Sequence, residues 1–336
     1  MILVEKHTLL SYRIQRKKEM NSKRMLAVCF FVAIASIAGV ILYYSEHIFY
    51  NLDQNEMEKK NYFEKKISQN MGYALNRTRD ILVATSHIPD VYNVPFATSV
   101  DSKLHGVQKE ADVPKRVIAG QVLDEDPSLE TVFFLLPNGD SYVIEPYSQQ
   151  LQVTSSNFAF RDFYKGAVET HEPYLSGAFK SQATGHNVAV IAIPIYSNNE
   201  TLTGIWGGAM DLAEIQSDLS VADVGSEGMI SILDEHGYVI AQSGSSKIQN
   251  TSLNHLESYA NAMSGKSGSM TEEVNGTKML IFYNPVKTFS GMWVMLAMMP
   301  YDTSYVLAQT AKDFEIMSLS ILSMISFIFI VLYKKY

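Results

Sequence analysis

Two uninterrupted apolar runs stand near the ends of this chain, and the sequence between them alternates in shorter periods. Met25 to Ser45 (MLAVCFFVAIASIAGVILYYS) carries no charge over 21 residues, and Ile316 to Tyr333 (IMSLSILSMISFIFIVLY) carries none over 18. At about 1.5 Å of rise per residue, runs of this length suit a hydrocarbon core about 30 Å thick. The pattern therefore predicts two transmembrane helices, with Tyr43-Tyr44 closing the first as an interfacial anchor. A cleaved signal peptide has a shorter apolar region and a small-residue cleavage site, so the first run reads as a retained span.

After the first run, apolar positions recur at helical spacing. Phe63, Ile67, Met71, Ala74, Leu75, Thr78 and Leu82 form one stripe in a stretch from Glu46 to about His87, with Pro89 and Pro95 ending it. A helix of about forty residues cannot bury such a stripe by itself, so it must lie along its own domain, pair with a second copy, or do both.

Strand patterns follow. Thr131 to Leu136 and Ser141 to Glu145 flank Pro137-Asn138-Gly139-Asp140, a hairpin signal, and Met229 to Leu233 and Tyr238 to Ala241 flank Asp234-Glu235-His236-Gly237 in the same way. Both second strands contain Tyr-Val-Ile. Asn187 to Ile195, a strand ending near Pro194, precedes one opened by Gly204-Ile205-Trp206. Met279 to Phe282 precedes Pro285 and a strand opened by Gly291-Met292-Trp293. An echo at a period of roughly ninety residues predicts two copies of one antiparallel module in an α+β arrangement. A last helix near Tyr301 to Phe314 leads into the second span, coupling the second module to it.

Charge adds an orientation. Lys6, Arg13, Arg16, Lys17, Lys18, Lys23 and Arg24 precede the first span against Glu5 and Glu19, and Lys334-Lys335 follow the second. The positive-inside rule puts both ends in the cytoplasm. Of 27 basic and 35 acidic residues, nine basic and two acidic lie outside the spans, which leaves 18 basic and 33 acidic between them, or −15. An outside-facing acidic domain argues against nucleic acid as a partner. Sequons begin at Asn76, Asn199, Asn250 and Asn275, compatible with surface glycosylation. The single Cys29 excludes intramolecular disulfides, cysteine zinc sites and iron–sulfur clusters, and reads as a small buried hydrophobe.

The stretch Phe158 to Ile215 (FAFRDFYKGAVETHEPYLSGAFKSQATGHNVAVIAIPIYSNNETLTGIWGGAMDLAEI) resembles the ligand-binding core of double Cache sensor domains. Those domains sit outside the membrane in chemoreceptors and sensor histidine kinases. The resemblance covers about Glu46 to Phe314. It implies a long entering helix, a membrane-distal ligand-binding module and a simpler membrane-proximal one, both PAS-like antiparallel sheets with flanking helices. Arg161, the pair Phe163-Tyr164, Ala167 and Asp211 match the family's binding positions. In members that bind amino acids, the arginine holds the ligand carboxylate and the aspartate its ammonium. That version has a tryptophan where this chain has Phe163, and a tyrosine where it has Ser156.

The same residues read chemically. A guanidinium is a planar fork of donors that fits a carboxylate, and Arg161 precedes a short helix expected over Asp162 to Thr170. Asp211 ends an apolar strand, where a carboxylate needs a partner. Phe163, Tyr164 and Tyr174 offer walls, hydroxyls and cation–π faces. The plain alternative is that Arg161 and Asp211 pair with each other or with surface groups. Catalytic constellations are lacking: Gly265-Lys266-Ser267 lacks the earlier glycine of a phosphate loop, where Ala260 stands, and reads as a turn between helix and strand. Glu272-Glu273 point to opposite faces of a strand. No histidine pair has metal spacing, and His171 and His186 read as solvated.

These readings give a non-enzymatic, membrane-anchored sensor with no cofactor and no metal. A cytoplasmic tail occupies 1–24, spans 25–45 and 316–333, a stalk helix 46–88, a distal module 89–218, a proximal module 219–315, and a cytoplasmic end 334–336. Its expected partners are a small amino-acid-like or other carboxylate ligand, an amine or organic acid, a second copy in a homodimer, and a signalling partner or output sequence outside this chain. The competing class is a surface, structural or adhesion protein that reuses the fold.

Overall fold

The computed structural model describes residues 2–96, 100–213, 215, 219, 228–243, 252–301 and 306–335. The backbone divides into two compact units, Met1–Glu58 with Tyr305–Tyr336 and Lys59–Ser304. In the first, Arg16–Tyr44 and Lys312–Lys334 have mean hydropathies of 2.8 and 2.4 and are long and apolar enough to cross a membrane. Their rings meet: Phe30 stacks on Phe329 at 3.8 Å between centroids. Cys29 is exposed on its helix rather than buried, because none of that helix's apolar window is covered by the rest of the chain.

The second unit holds two antiparallel sheets. Helix α1 runs Ile2–Ser86, α2 Pro89–Tyr92, α3 Val113–Glu125, α4 Tyr147–Gln150 and α5 Asp162–Thr170. Strands β1 (Leu129–Leu135), β2 (Ser141–Glu145), β3 (Tyr174–Leu175), β4 (Phe179–Lys180), β5 (Asn187–Tyr196) and β6 (Leu202–Asp211) form the first sheet. Strands β7 (Met229–Leu233), β8 (Val239–Gln242), β9 (Gly268–Val274), β10 (Thr277–Lys287) and β11 (Met292–Pro300) form the second. Their orders, β2-β1-β6-β5-β3 and β8-β7-β11-β10-β9, are the same path traced twice. The sequence echo is thus a structural repeat. A helix at Glu257–Met263 covers the second sheet and is separated from β9 by the Gly265-Lys266-Ser267 turn.

The prolines expected to end strands lie inside them instead, Pro194 paired with Ile205 and Pro285 with Val294. Each sits beyond the reach of the outer neighbour: β3 pairs with β5 only at Ala192 and Ile191, and β9 pairs with β10 no further than Tyr283. A missing N–H costs nothing on an edge left open there.

The α1 stripe is absorbed by its own domain. Met71, Leu75, Thr78 and Leu82 are buried, whereas Ala74 is exposed and the Phe63 side chain lies outside the described residues. Ser68 reaches Met295 Sδ at 3.8 Å, Thr78 donates to Asp126 at 2.5 Å, and Trp206 Nε1 donates to Thr85 Oγ1 at 3.0 Å. One helix therefore packs against both sheets. Of the sequon asparagines, Asn250 lies outside the described residues, as do 302–305 of the expected last helix; that helix is described over Val306–Lys335.

The run Gly204-Ile205-Trp206-Gly207-Gly208 lets bulky neighbours cross β6. A Cβ on Gly207 would fall 2.5 Å from the Phe133 ring and 2.8 Å from Ile191 O. Gly207→Ala must push the Phe133 ring and the Ile191 carbonyl aside and is expected to cost about 1–3 kcal/mol. Thermal unfolding of the detergent-solubilised chain reads this directly; an unchanged midpoint would show that the strand relaxes freely.

Candidate ligand-binding site

The first sheet and α5 border a partly open cavity of about 60 Å³. Alternation along the strands supplies its floor: Phe133 and Leu135 from β1, Val188 and Val190 from β5, Ala209 from β6. Phe158, Phe163 and Phe179 close it from above, and Ser181, Gln182 and Ala183 bound one side. Phe163 lies 5.7 Å from Phe133 and stacks on Phe179 at 6.1 Å.

Arg161 is the cation of this cavity. It is the N-cap residue of α5, in extended conformation, which turns its side chain away from the helix it precedes. Its guanidinium lies between two rings, 4.5 Å from the Phe179 centroid and 5.0 Å from that of Phe160. Burial pulls its pKa down, and Asp162 partly offsets the shift. Arg161 Nε is buried with no hydrogen-bond partner, as is Gln182 Oε1. No ion pair to Arg161 occurs among the described residues. A donor and an acceptor thus stand unsatisfied around one small apolar space, and such groups cost free energy until something pairs with them.

The Cache domain family, in its dCache form, matches residues 35–309 of the 336. The chain belongs to the Cache domain family. The fold agrees with solved Cache structures. A ligand-binding domain of the Pseudomonas fluorescens chemoreceptor CtaA, in complex with L-leucine, aligns at a TM-score of 0.53 and 16% identity, over 77% of this chain and 99% of that one. The extracellular domain of the putative histidine kinase rpHK1S-Z16 aligns at 0.56 and 15%, over 76% and 98%. The Campylobacter jejuni chemoreceptor Tlp3, bound to 4-methylisoleucine, aligns at 0.52 and 14%, over 76% and 94%. Among curated proteins, Bacillus subtilis sporulation kinase D is 22% identical over 139 residues, 41% of this chain and 26% of the kinase. The matched stretch is thus about a quarter of that relative's length.

Within this Cache fold only Arg161 and Phe163, of the five residues singled out in the sequence, line the cavity. Tyr164 sits one residue further round α5, and its hydroxyl donates to Pro137 O at 2.5 Å, tying the helix to the first hairpin. Burial raises its pKa. Tyr174 lies against Gly166, where a Cβ would meet its ring at 2.4 Å, and its hydroxyl donates to Glu235 Oε1 at 3.4 Å across the two sheets' domains. Asp211 closes β6 outside this cavity, at a separate cleft that Met71, Ala74 and Thr78 of α1 also line. Its Oδ1 accepts from Ala213 N at 2.9 Å, and its Oδ2 lies 3.2 Å from His186 Nδ1. Arg161 and Asp211 therefore do not pair. Two further side chains stand out: Gln182, a loop residue without a sequence pattern, and His186, exposed as expected and also flanked by two carboxylates.

Tyr174 gives the fold an alkaline limit. Burial first, then Glu235, raises its pKa to about 12, and burial with Asp234 raises that of Tyr259 to about 12, from an ordinary value of 10.0. Above the unfolded value, the folded state keeps protons that the unfolded chain releases, so stability is full below it and falls as pH climbs toward 12. The melting temperature is expected to drop between about pH 10 and pH 12. Tyr174→Phe should shrink that drop; an equal drop in the variant would place the alkaline sensitivity elsewhere.

Proposed function

We propose that this chain is a membrane-anchored, extracytoplasmic sensor that binds a short carboxylic acid in the cavity beneath α5. The carrying observation is Arg161, a partly desolvated guanidinium in an aromatic slot with a buried, unsatisfied Nε. A ligand carboxylate supplies the acceptors that this group lacks, and a charge-assisted pair in an apolar pocket is strong. Gln182 Oε1 then accepts from a ligand ammonium or hydroxyl. The cavity is small, about 60 Å³, and partly open to solvent, so a ligand's carboxylate end is the part it encloses. Chemoreceptors of this fold hold L-leucine and 4-methylisoleucine, which supports an amino or hydroxy acid with a small apolar body. Asp211, whose oxygens are engaged elsewhere, is not assigned the ammonium.

In this reading, 89–218 is the binding module and 219–315 the relay. The relay leads to the second apolar helix, and a ligand-linked shift of about 1–2 Å reaches a partner across the membrane, with both ends of the chain cytoplasmic. The long helix is the expected contact in a homodimer.

The test is a thermal-shift screen of the full chain in detergent against short amino acids, hydroxy acids, unsubstituted monocarboxylates and amines. A carboxylate at 100 times its dissociation constant should add about 2.7 kcal/mol of stability. Stabilisation by amines with none by carboxylates would remove Arg161 from the centre of the site.

A further inference from the structure

Three strands of the first sheet end in a cluster that the ligand cavity does not use. β1, β6 and β5 are adjacent. The β1–β6 register shifts between Leu129 and Thr131, which puts Glu130 at an irregularity instead of in the regular alternation. His186 immediately precedes β5, and Asp211 is the last residue of β6. The three side chains converge: His186 Nδ1 lies 3.0 Å from Glu130 Oε2 and 3.2 Å from Asp211 Oδ2.

The second oxygen of each carboxylate is already held. Glu130 Oε1 accepts from Thr184 Oγ1 at 2.8 Å, and Asp211 Oδ1 accepts from Ala213 N at 2.9 Å. These bonds orient the carboxylates so that their remaining oxygens face one point, as outer-shell partners orient metal ligands. The Glu130 side chain is only 9% exposed. Among the described residues no lysine or arginine forms an ion pair with either acid. One ring nitrogen carries at most one proton, so it cannot donate a full hydrogen bond to both oxygens. Donors bound about 2.0–2.2 Å from one tetrahedral ion lie about 3.4 Å apart, so the 3.0 and 3.2 Å spacings here need open by only a few tenths of an ångström to admit one.

We propose that Glu130 Oε2, His186 Nδ1 and Asp211 Oδ2 bind one divalent first-row transition ion of the zinc class. The dication neutralises two carboxylates, and a nitrogen with two oxygens suits such an ion better than calcium or magnesium, which prefer oxygen alone. His186 is 57% exposed, so solvent or ligand oxygens complete the coordination.

The site also bears on the cavity. Thr184 and His186 continue the loop whose Ser181, Gln182 and Ala183 line it. An ion at this corner fixes that loop to β1 and β6 and is expected to tighten carboxylate binding. This coupling rests on the sensor reading above; the ion site itself does not.

The test uses the full chain in detergent, stripped with a chelator, dialysed and titrated with Zn²⁺ by calorimetry, with bound zinc counted by mass spectrometry. One equivalent is expected, with a raised melting temperature. His186→Ala and Asp211→Asn should each weaken binding by about 100-fold, while His171→Ala, in a residue that stacks on Tyr196 away from the cluster, should leave it unchanged. Absence of stoichiometric zinc, or equal binding in all three variants, overturns the proposal and leaves a histidine–carboxylate hydrogen bond only. Zinc binding without any carboxylate hit supports the ion site and sinks the sensor reading. Carboxylate affinity that is equal with and without zinc removes the coupling.

Discussion

Lys115→Ala is expected to destabilise the two-sheet domain by about 3–5 kcal/mol, the range for breaking a buried charge network by deleting one partner. Lys115 is completely buried, in α3. Its Nζ donates to the carbonyls of Asp90 at 2.6 Å, Val91 at 2.7 Å and Asn93 at 2.6 Å, and lies 3.4 Å from Asp112 Oδ2. It also sits over the Phe134 and Tyr142 rings, at 5.0 and 5.6 Å. One ammonium thus caps the end of α2, holds the start of α3 and touches β1 and β2. Burial lowers its pKa, and Asp112 opposes that shift. Without it, three carbonyls lose their donor, and Asp112, at a left-handed φ of 49°, keeps only the Tyr142 hydroxyl at 2.8 Å. Lys115→Met separates the causes, since it keeps most of the volume but no donor. Comparable losses of melting temperature in both variants support the hydrogen-bonding account. A methionine variant as stable as the parent would show that the site needs only to be filled.

Arg161→Ala is expected to weaken carboxylate binding by about 100-fold or more, since truncating one partner of a buried charge pair costs about 2–5 kcal/mol. The same change should barely alter the stability of the ligand-free protein. The guanidinium is partly desolvated without an ion pair, so its removal takes away a cost together with its ring contacts. Arg161→Lys keeps the charge and loses the fork, and should fall between the two by about tenfold. Binding isotherms with matched thermal scans distinguish the outcomes. Retained affinity in Arg161→Ala would exclude the carboxylate contact. A collapsed melting temperature would make Arg161 a structural residue.

Much of the fold was legible because it is written in local patterns. The hairpins at Pro137–Asp140 and Asp234–Gly237, the helix over Asp162–Thr170 and the doubled module all follow from turn residues and strand alternation. The site was legible only in part. Phe163 and Ala167 are four residues apart and face the core together, while Tyr164 is turned by about 100° and meets the hairpin instead. A sequence shows that these aromatics are adjacent, but not which of them faces inward.

The chain's own order of residues determined what needs only neighbours: two apolar helices long enough to span a bilayer, a stalk with one apolar stripe, and two copies of an antiparallel sheet. The tertiary structure alone decided what depends on strands distant in sequence. It placed the Arg161 fork in an aromatic slot, and it brought Gln182 to the same cavity from a loop without a motif. It also drew Asp211 away to His186 and Glu130, because β1, β6 and β5 lie side by side although their residues are far apart along the chain. Sheet order is a long-range property, and the convergence of side chains upon it has no signature in spacing.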